Sequence, residues 1–175
     1  QYTVTREPGG TPLGDQVRSM LLEQHSLAIT PVAQTLLLFA ARAQHIADVI
    51  EPALTRGTWV VCDRFTDATR AYQGGGHQVN AKRIEALADW VHKDLNPDVT
   101  FIFDVRVSVG ESRLGDKAVD RFETEATQFK QRVRDAYQRI QQQDPQRVHL
   151  VSAEQDLAAV TEEVARLMRE FMDRV

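Results

Sequence analysis

The run TWVVCDRFTDATRAYQGGG, residues 58–76, decides how the rest of the chain is read. Trp59, Val60, Val61 and Cys62 make a short apolar run with a β-branched centre, the pattern of a buried strand. Asp63, Arg64 and Phe65 stand at its end, followed by a helix-like segment that ends at Tyr72 and Gln73, and then by Gly74, Gly75 and Gly76. An acid and a base at the carboxyl end of a buried strand lie where open α/β sheets bind ligands. Arg64 carries a planar fork of donors that suits phosphate or carboxylate. Asp63 supplies an acceptor for a metal's hydration shell or for that arginine. A structural Asp–Arg pair accounts for these residues equally well, so the surrounding chain has to decide.

On the amino-terminal side, Tyr2, Thr3, Val4 and Thr5 read as a strand, stopped by Arg6-Glu7-Pro8-Gly9-Gly10. Thr11-Pro12 and Thr30-Pro31 each read as an N-cap followed by a first helical position. The first opens a helix carrying Arg18. The second opens a long apolar helix to about residue 56, closed by Gly57. Within it Leu38, Arg42 and His45 share one face. Arg42 reads on its own as a snorkelling surface group, and His45 as structural or solvent-facing. On the carboxyl side, Asn80 caps a helix running to about residue 95. Residues 99–104 form a second buried strand ending in Asp104, a short helix covers 108–114, and residues 115–123 read as a polar surface loop. Helices at 124–143 and 156–172 flank a last strand at 148–151. Strands alternating with helices predict an α/β fold, a parallel sheet with helices on both faces.

Composition sets bounds. The 175 residues suit one domain, large enough to bury roughly 70% of its unfolded surface. A net charge of −4 gives no support for a general nucleic-acid binder, though it allows a local basic cleft. The lone Cys62 excludes a disulfide framework and a cysteine metal site, and fits a reducing compartment. The longest clean apolar run, 36–41, is far short of the ~20 residues a membrane span needs. The chain opens on Gln1 already in strand pattern, so further sequence is expected before it.

TREPGG (5–10), FAARAQH (39–45), DRF (63–65) with AYQGGG (71–76), NPDVT (96–100) and DRFE (120–123) occur in this order. Together they resemble the bacterial-type thymidylate kinases, nucleoside monophosphate kinases of the P-loop class, over nearly the whole chain. The resemblance implies a P-loop NTPase-like sheet and transfer of the γ-phosphoryl of ATP to dTMP with Mg²⁺, giving dTDP and ADP for dTTP synthesis. It also implies a cytoplasmic homodimer with no nucleic-acid or membrane partner. In that frame Arg64 and Arg18 hold the dTMP phosphate, and Asp63 and Glu7 orient the Mg²⁺ shell and the arginines. Arg42 reaches the thymine edge, Thr69 and Gln73 bond the base, and Tyr72 closes the place of a 2′-hydroxyl. Arg121 comes from a lid at about 113–123. The apolar surface of the 31–56 helix is a candidate dimer face, which periodicity alone does not separate from core.

Three departures stand out. Leu38 occupies the place of a phenylalanine that stacks on thymine in several members, leaving stacking weaker or passed to Phe39. The lid is short and poor in arginine, with Arg113 and Lys117 as stand-ins. No GxxxxGK[ST] loop occurs anywhere. The expectation is therefore a single domain over 1–175 that lacks the family's first strand, phosphate loop and first helix. That strand would sit in mid-sheet, and its neighbours would otherwise leave backbone groups unpaired. A non-catalytic dTMP-binding module is the rival reading, and a kinase of a related nucleoside or nucleotide is a third.

Overall fold

A computed structural model describes residues 1–22, 28–114 and 126–174. Four parallel strands form two separate pairs. β1 (Tyr2–Arg6) lies beside β2 (Trp59–Asp63), with Tyr2 opposite Trp59 and Arg6 opposite Asp63. β3 (Thr100–Asp104) lies beside β4 (Val148–Ser152) in the same way. No strand among the described residues bonds to both pairs.

The β2 run expected to be buried is covered on one side only. Trp59, Val61, Tyr2 and Val4 are exposed, and β1 and β2 share the same alternation. Of this face, Trp59 meets Phe171 edge-on at 6.2 Å, bringing in α8 (Leu157–Met172). The opposite face, with Thr5, is covered by α2 (Pro31–His45).

Both Thr-Pro signals start helices. Thr11 Oγ1 accepts the Gly14 N–H at 3.0 Å ahead of α1 (Pro12–Leu22), and Thr30 Oγ1 accepts the Ala33 N–H ahead of α2. The long helix continues from α2 through a π-helical segment, Ile46–Ile50, into α3 (Glu51–Thr55). Proline explains the widening. Pro52 has no N–H for the carbonyl of Asp48, and the Glu51 N–H instead reaches five residues back to Ile46 O. Gly57, at φ +67°, closes the helix.

The helix after β2 does not end at Gln73. α4 (Thr66–Thr69) passes into a second π-helical segment, Arg70–Gly76, that includes all three glycines. They act as a packing face. A Cβ at Gly75 would sit 2.5 Å from the Ala136 Cβ, and one at Gly76 would sit 2.4 Å from the Phe129 ring. Both partners belong to α7 (Thr127–Gln143), whose Arg132 also donates to Gly76 O at 2.9 and 3.1 Å. Ala71, Ile102, Phe129, Val133, Ala136, Ile140 and Val148 form the core where this helix, β3 and β4 meet.

α5 (Ala81–Val91), capped by Asn80, stops four residues earlier than its pattern suggests. His92 leaves the helix at φ −135° and turns its ring inward to Thr66 Oγ1, at 2.8 Å. α6 (Val107–Leu114) follows β3, and Asp104 at the strand end is taken by Arg134 at 2.7 and 2.8 Å.

Candidate functional site

A cleft opens at the carboxyl ends of β1 and β2. Glu7, Pro8, Arg18, Leu38, Arg42 and Arg64 line it, with Phe65, Thr69, Tyr72 and Gln73. Sequences distant in the chain meet because both strands end there and α1, α2 and α4 begin or pass beside them.

Arg42 lies inside the protein, against its reading as a snorkelling group. It is 2% exposed, packed between the rings of Phe39 and Phe65 at 4.8 and 5.1 Å. Its Nε donates to Glu7 Oε2 at 2.7 Å and its Nη2 to Thr69 Oγ1 at 3.1 Å. Its Nη1 is buried with no hydrogen-bond partner among the described residues. A buried donor of this kind costs free energy unless a ligand takes it up.

Glu7 is 4% exposed, and its second oxygen, Oε1, is held by His45 Nδ1 at 3.0 Å. The geometry thus makes it an orienter of Arg42. Both of its oxygens are engaged, so its part in a Mg²⁺ site would be indirect, through the groups it orients. Asp63 is exposed at the end of β2, open to such a shell. Among the described residues no cluster of three His, Cys, Asp or Glu side chains could cage a metal. A Mg²⁺ site needing one carboxylate plus substrate phosphates is compatible with that.

Arg64 is exposed, its guanidinium 4.9 Å over the Tyr72 ring. Its backbone is left-handed, φ +67°, an unusual state for arginine. The Cys62 thiol donates to the Arg64 carbonyl at 3.0 Å. Burial, and the charge of Glu7 after it, push that thiol's pKa up to about 12, so Cys62 is a hydrogen-bond donor and no nucleophile. Arg18 reaches the same mouth and donates to Pro8 O at 3.3 Å.

Thr69 and Gln73, both 2% exposed, form the cleft's inner wall, and Leu38 lines it from α2. Phe39 does not line the cleft: it is 2% exposed, packed with Ile84 and Ala88. Phe65, which the sequence marks only as part of DRF, lines it together with Tyr72. Arg121 and Lys117 lie outside the described residues. Arg113 is bound to the carbonyls of Ala153 and Glu154 at 2.5 and 3.3 Å, beside β4.

The family model described as thymidylate kinase matches residues 1–164. The thymidylate kinase of Thiobacillus denitrificans is 51% identical over 172 residues, covering 98% of this chain and 83% of that protein. That of Methylobacillus flagellatus is 49% identical, covering 95% and 81%. The crystal structure of thymidylate kinase from Ehrlichia chaffeensis superposes with a TM-score of 0.76 at 33% identity, covering 96% of this chain and 80% of that one.

Proposed function

The chain belongs to the thymidylate kinase family, and we infer that it transfers the γ-phosphoryl of ATP to dTMP, giving dTDP and ADP. Its fold is the family's P-loop NTPase α/β fold. The observation that carries the reading is the buried Arg42, its Nη1 without a hydrogen-bond partner among the described residues, at a cleft whose mouth holds Arg64 and Arg18. A cleft with a buried donor on its wall and cations at its opening suits a nucleoside monophosphate.

In this reading the described residues form the acceptor side. Arg64 and Arg18 neutralise the phosphate of dTMP and aim one of its oxygens at the γ-phosphorus. As that P–O bond forms, the bond to the β-phosphate oxygen breaks and ADP leaves. Little covalent chemistry is needed from the protein; fixed cations supply the stabilisation. Arg42 Nη1 donates to the thymine edge, Thr69 and Gln73 bond the base, and Leu38 and Phe65 wall it. Tyr72, braced by Arg64, closes the 2′ side of the sugar. Asp63, exposed at the end of β2, would hold the hydration shell of Mg²⁺, which would supply positive charge to the phosphates. Arg121, outside the described residues, is a candidate to neutralise the transferring group on the resemblance alone. No GxxxxGK[ST] loop occurs in the 175 residues, so the donor side is not assigned to any of them.

A homodimer is supported by the exposed stripe Val32, Leu36, Ala40, Ala43, Ala47 and Leu54 along α2 to α3, now separated from the core face by its exposure. A cytoplasmic setting fits the single thiol. No helix among the described residues is long and apolar enough to cross a membrane.

The test is ADP release from ATP and Mg²⁺ with dTMP, beside calorimetric titration of dTMP. Dependence of turnover on dTMP supports the kinase. Saturable binding without turnover would favour a dTMP-binding module, and absence of both would sink the cleft assignment.

A further inference from the structure

We propose that His45 is a positioning residue that fixes Glu7 and Arg42, and thereby sets the cleft's preference for a pyrimidine carbonyl over a pyrimidine amine; this rests on the cleft being the acceptor-nucleotide site. His45 is fully buried and bonded at both ring nitrogens, Nε2 to Thr5 Oγ1 at 2.6 Å and Nδ1 to Glu7 Oε1 at 3.0 Å. An ionised carboxylate only accepts, so Nδ1 carries the proton. In the neutral ring Nε2 then accepts, and the Thr5 hydroxyl donates. The bonds run in one sense from Thr5 to His45 to Glu7, where they meet those coming from Arg42.

Position 10 is built around this pair. Gly10 has φ +75°, and a Cβ there would lie 2.6 Å from Thr5 Oγ1 and 2.9 Å from His45 Nε2. The network therefore requires glycine on both conformational and steric grounds.

His45 matters to the cleft because it holds the Glu7 oxygen that Arg42 does not. With one oxygen pinned, a carboxylate can still rotate; with both pinned, its plane is set, and so is the guanidinium bonded to it. Glu7 and Thr69 then consume Nε and Nη2 of Arg42, leaving Nη1 for a ligand. A fixed N–H donates to the 4-oxo group of thymine. It meets the 4-amino group of cytosine donor to donor, which no small shift relieves while Arg42 is held. dTMP and dCMP share phosphate and sugar, so their affinity ratio isolates contacts to the base.

The experiment titrates dTMP and dCMP calorimetrically into wild type, His45→Asn and His45→Gln, each also in an Arg42→Met background. Thermal melts check folding. An asparagine amide nitrogen falls at the Nδ1 position and keeps the bond to Glu7; a glutamine nitrogen reaches the Nε2 position and loses it. We expect His45→Gln to lower the dTMP-to-dCMP affinity ratio on the order of tenfold, and His45→Asn to stay near wild type. Both should be silent in the Arg42→Met background. Imidazole nitrogen shifts in the ligand-free protein should place the proton on Nδ1. An unchanged ratio in folded His45→Gln, an effect persisting without Arg42, or a proton on Nε2 would each overturn the proposal. Wild-type protein that binds neither nucleotide would instead overturn the cleft reading, and the tautomer would still decide the His45–Glu7 arrangement.

Discussion

Asp67 and Arg147 meet at 2.7 Å across 80 residues of chain. The carboxylate is 6% exposed, and Arg70 also bonds it at 2.9 Å. Arg147 in turn bonds Thr100 at 3.1 Å and Asp144 at 2.7 Å. The ion group thus ties α4, which carries Thr66 and Thr69, to the start of β3 and β4. With no ladder between the two strand pairs among the described residues, such links and the packing of α7 hold the cleft to the rest of the molecule. Asp67→Ala leaves two arginines facing a buried gap and should destabilise by about 3 kcal/mol. Urea denaturation measures this. A change under about 0.5 kcal/mol, the scatter of ordinary surface substitutions, would show that the group contributes little.

Arg64→Ala removes a fixed cation from a transferring phosphate. Turnover with dTMP should fall on the order of 10²-fold or more while the fold survives. Steady-state kinetics beside a circular dichroism spectrum check both, and near-normal turnover would make Arg64 structural.

Tyr72→Ala opens the sugar side of the cleft. Relative kcat/KM for the ribose form of the nucleotide should rise against dTMP, read from a two-substrate comparison. Unchanged discrimination would discard the steric role and leave Tyr72 as a brace for Arg64.

Gly74 and Gly75 should respond differently to alanine. Gly75→Ala forces a methyl to within 2.5 Å of the Ala136 Cβ and 3.0 Å of a backbone oxygen. It should cost about 1–3 kcal/mol. Gly74→Ala meets only the flexible end of Ile84, at 3.3 Å, and gains helix propensity of up to about 1 kcal/mol. Melting temperatures of the pair decide. Equal losses would mean that the approach of α7 is not what position 75 serves.

His92 gives a pH dependence. Burial first, and the charge of Arg42 second, lower its pKa below the ordinary 6.5. The unfolded chain therefore takes up this proton at higher pH than the folded protein does. The stability His92 contributes is present above about pH 6.5 and is lost as pH falls from there toward its lowered folded value. Stability of wild type minus His92→Gln, measured by denaturant titration across pH 5 to 8, should fall on acidification. A flat difference would mean that the ring titrates alike in both states.

Local signals were legible in the sequence. Both Thr-Pro caps, Asn80, the strand starts and the closing Gly57 report short-range chemistry, which acts within a turn of its own residue. The elements failed where a distant group intervened. α5 stops early because His92 is drawn to Thr66, 26 residues away, and the glycine run stays helical because α7 lies against it. The site showed the same division. Arg64, Tyr72, Thr69 and Gln73 stand in motifs legible in the sequence, and all four line the cleft. Phe65 lines the cleft where Phe39 does not, because neighbouring motif residues point in directions that sequence alone does not resolve.

By itself, then, the sequence determined the α/β class, the parallel order of strands and helices, and the family, since hydrophobic period, cap chemistry and motif spacing are properties of neighbouring residues. Only the tertiary structure decided that Arg42 is buried, that Glu7 serves it, and that His45 belongs to the same network. An arginine on an apolar helix has the same pattern whether it snorkels or pairs. What settles it is a carboxylate brought 35 residues through space to 2.7 Å, because a charge stays inside a protein only where a partner is already fixed to meet it.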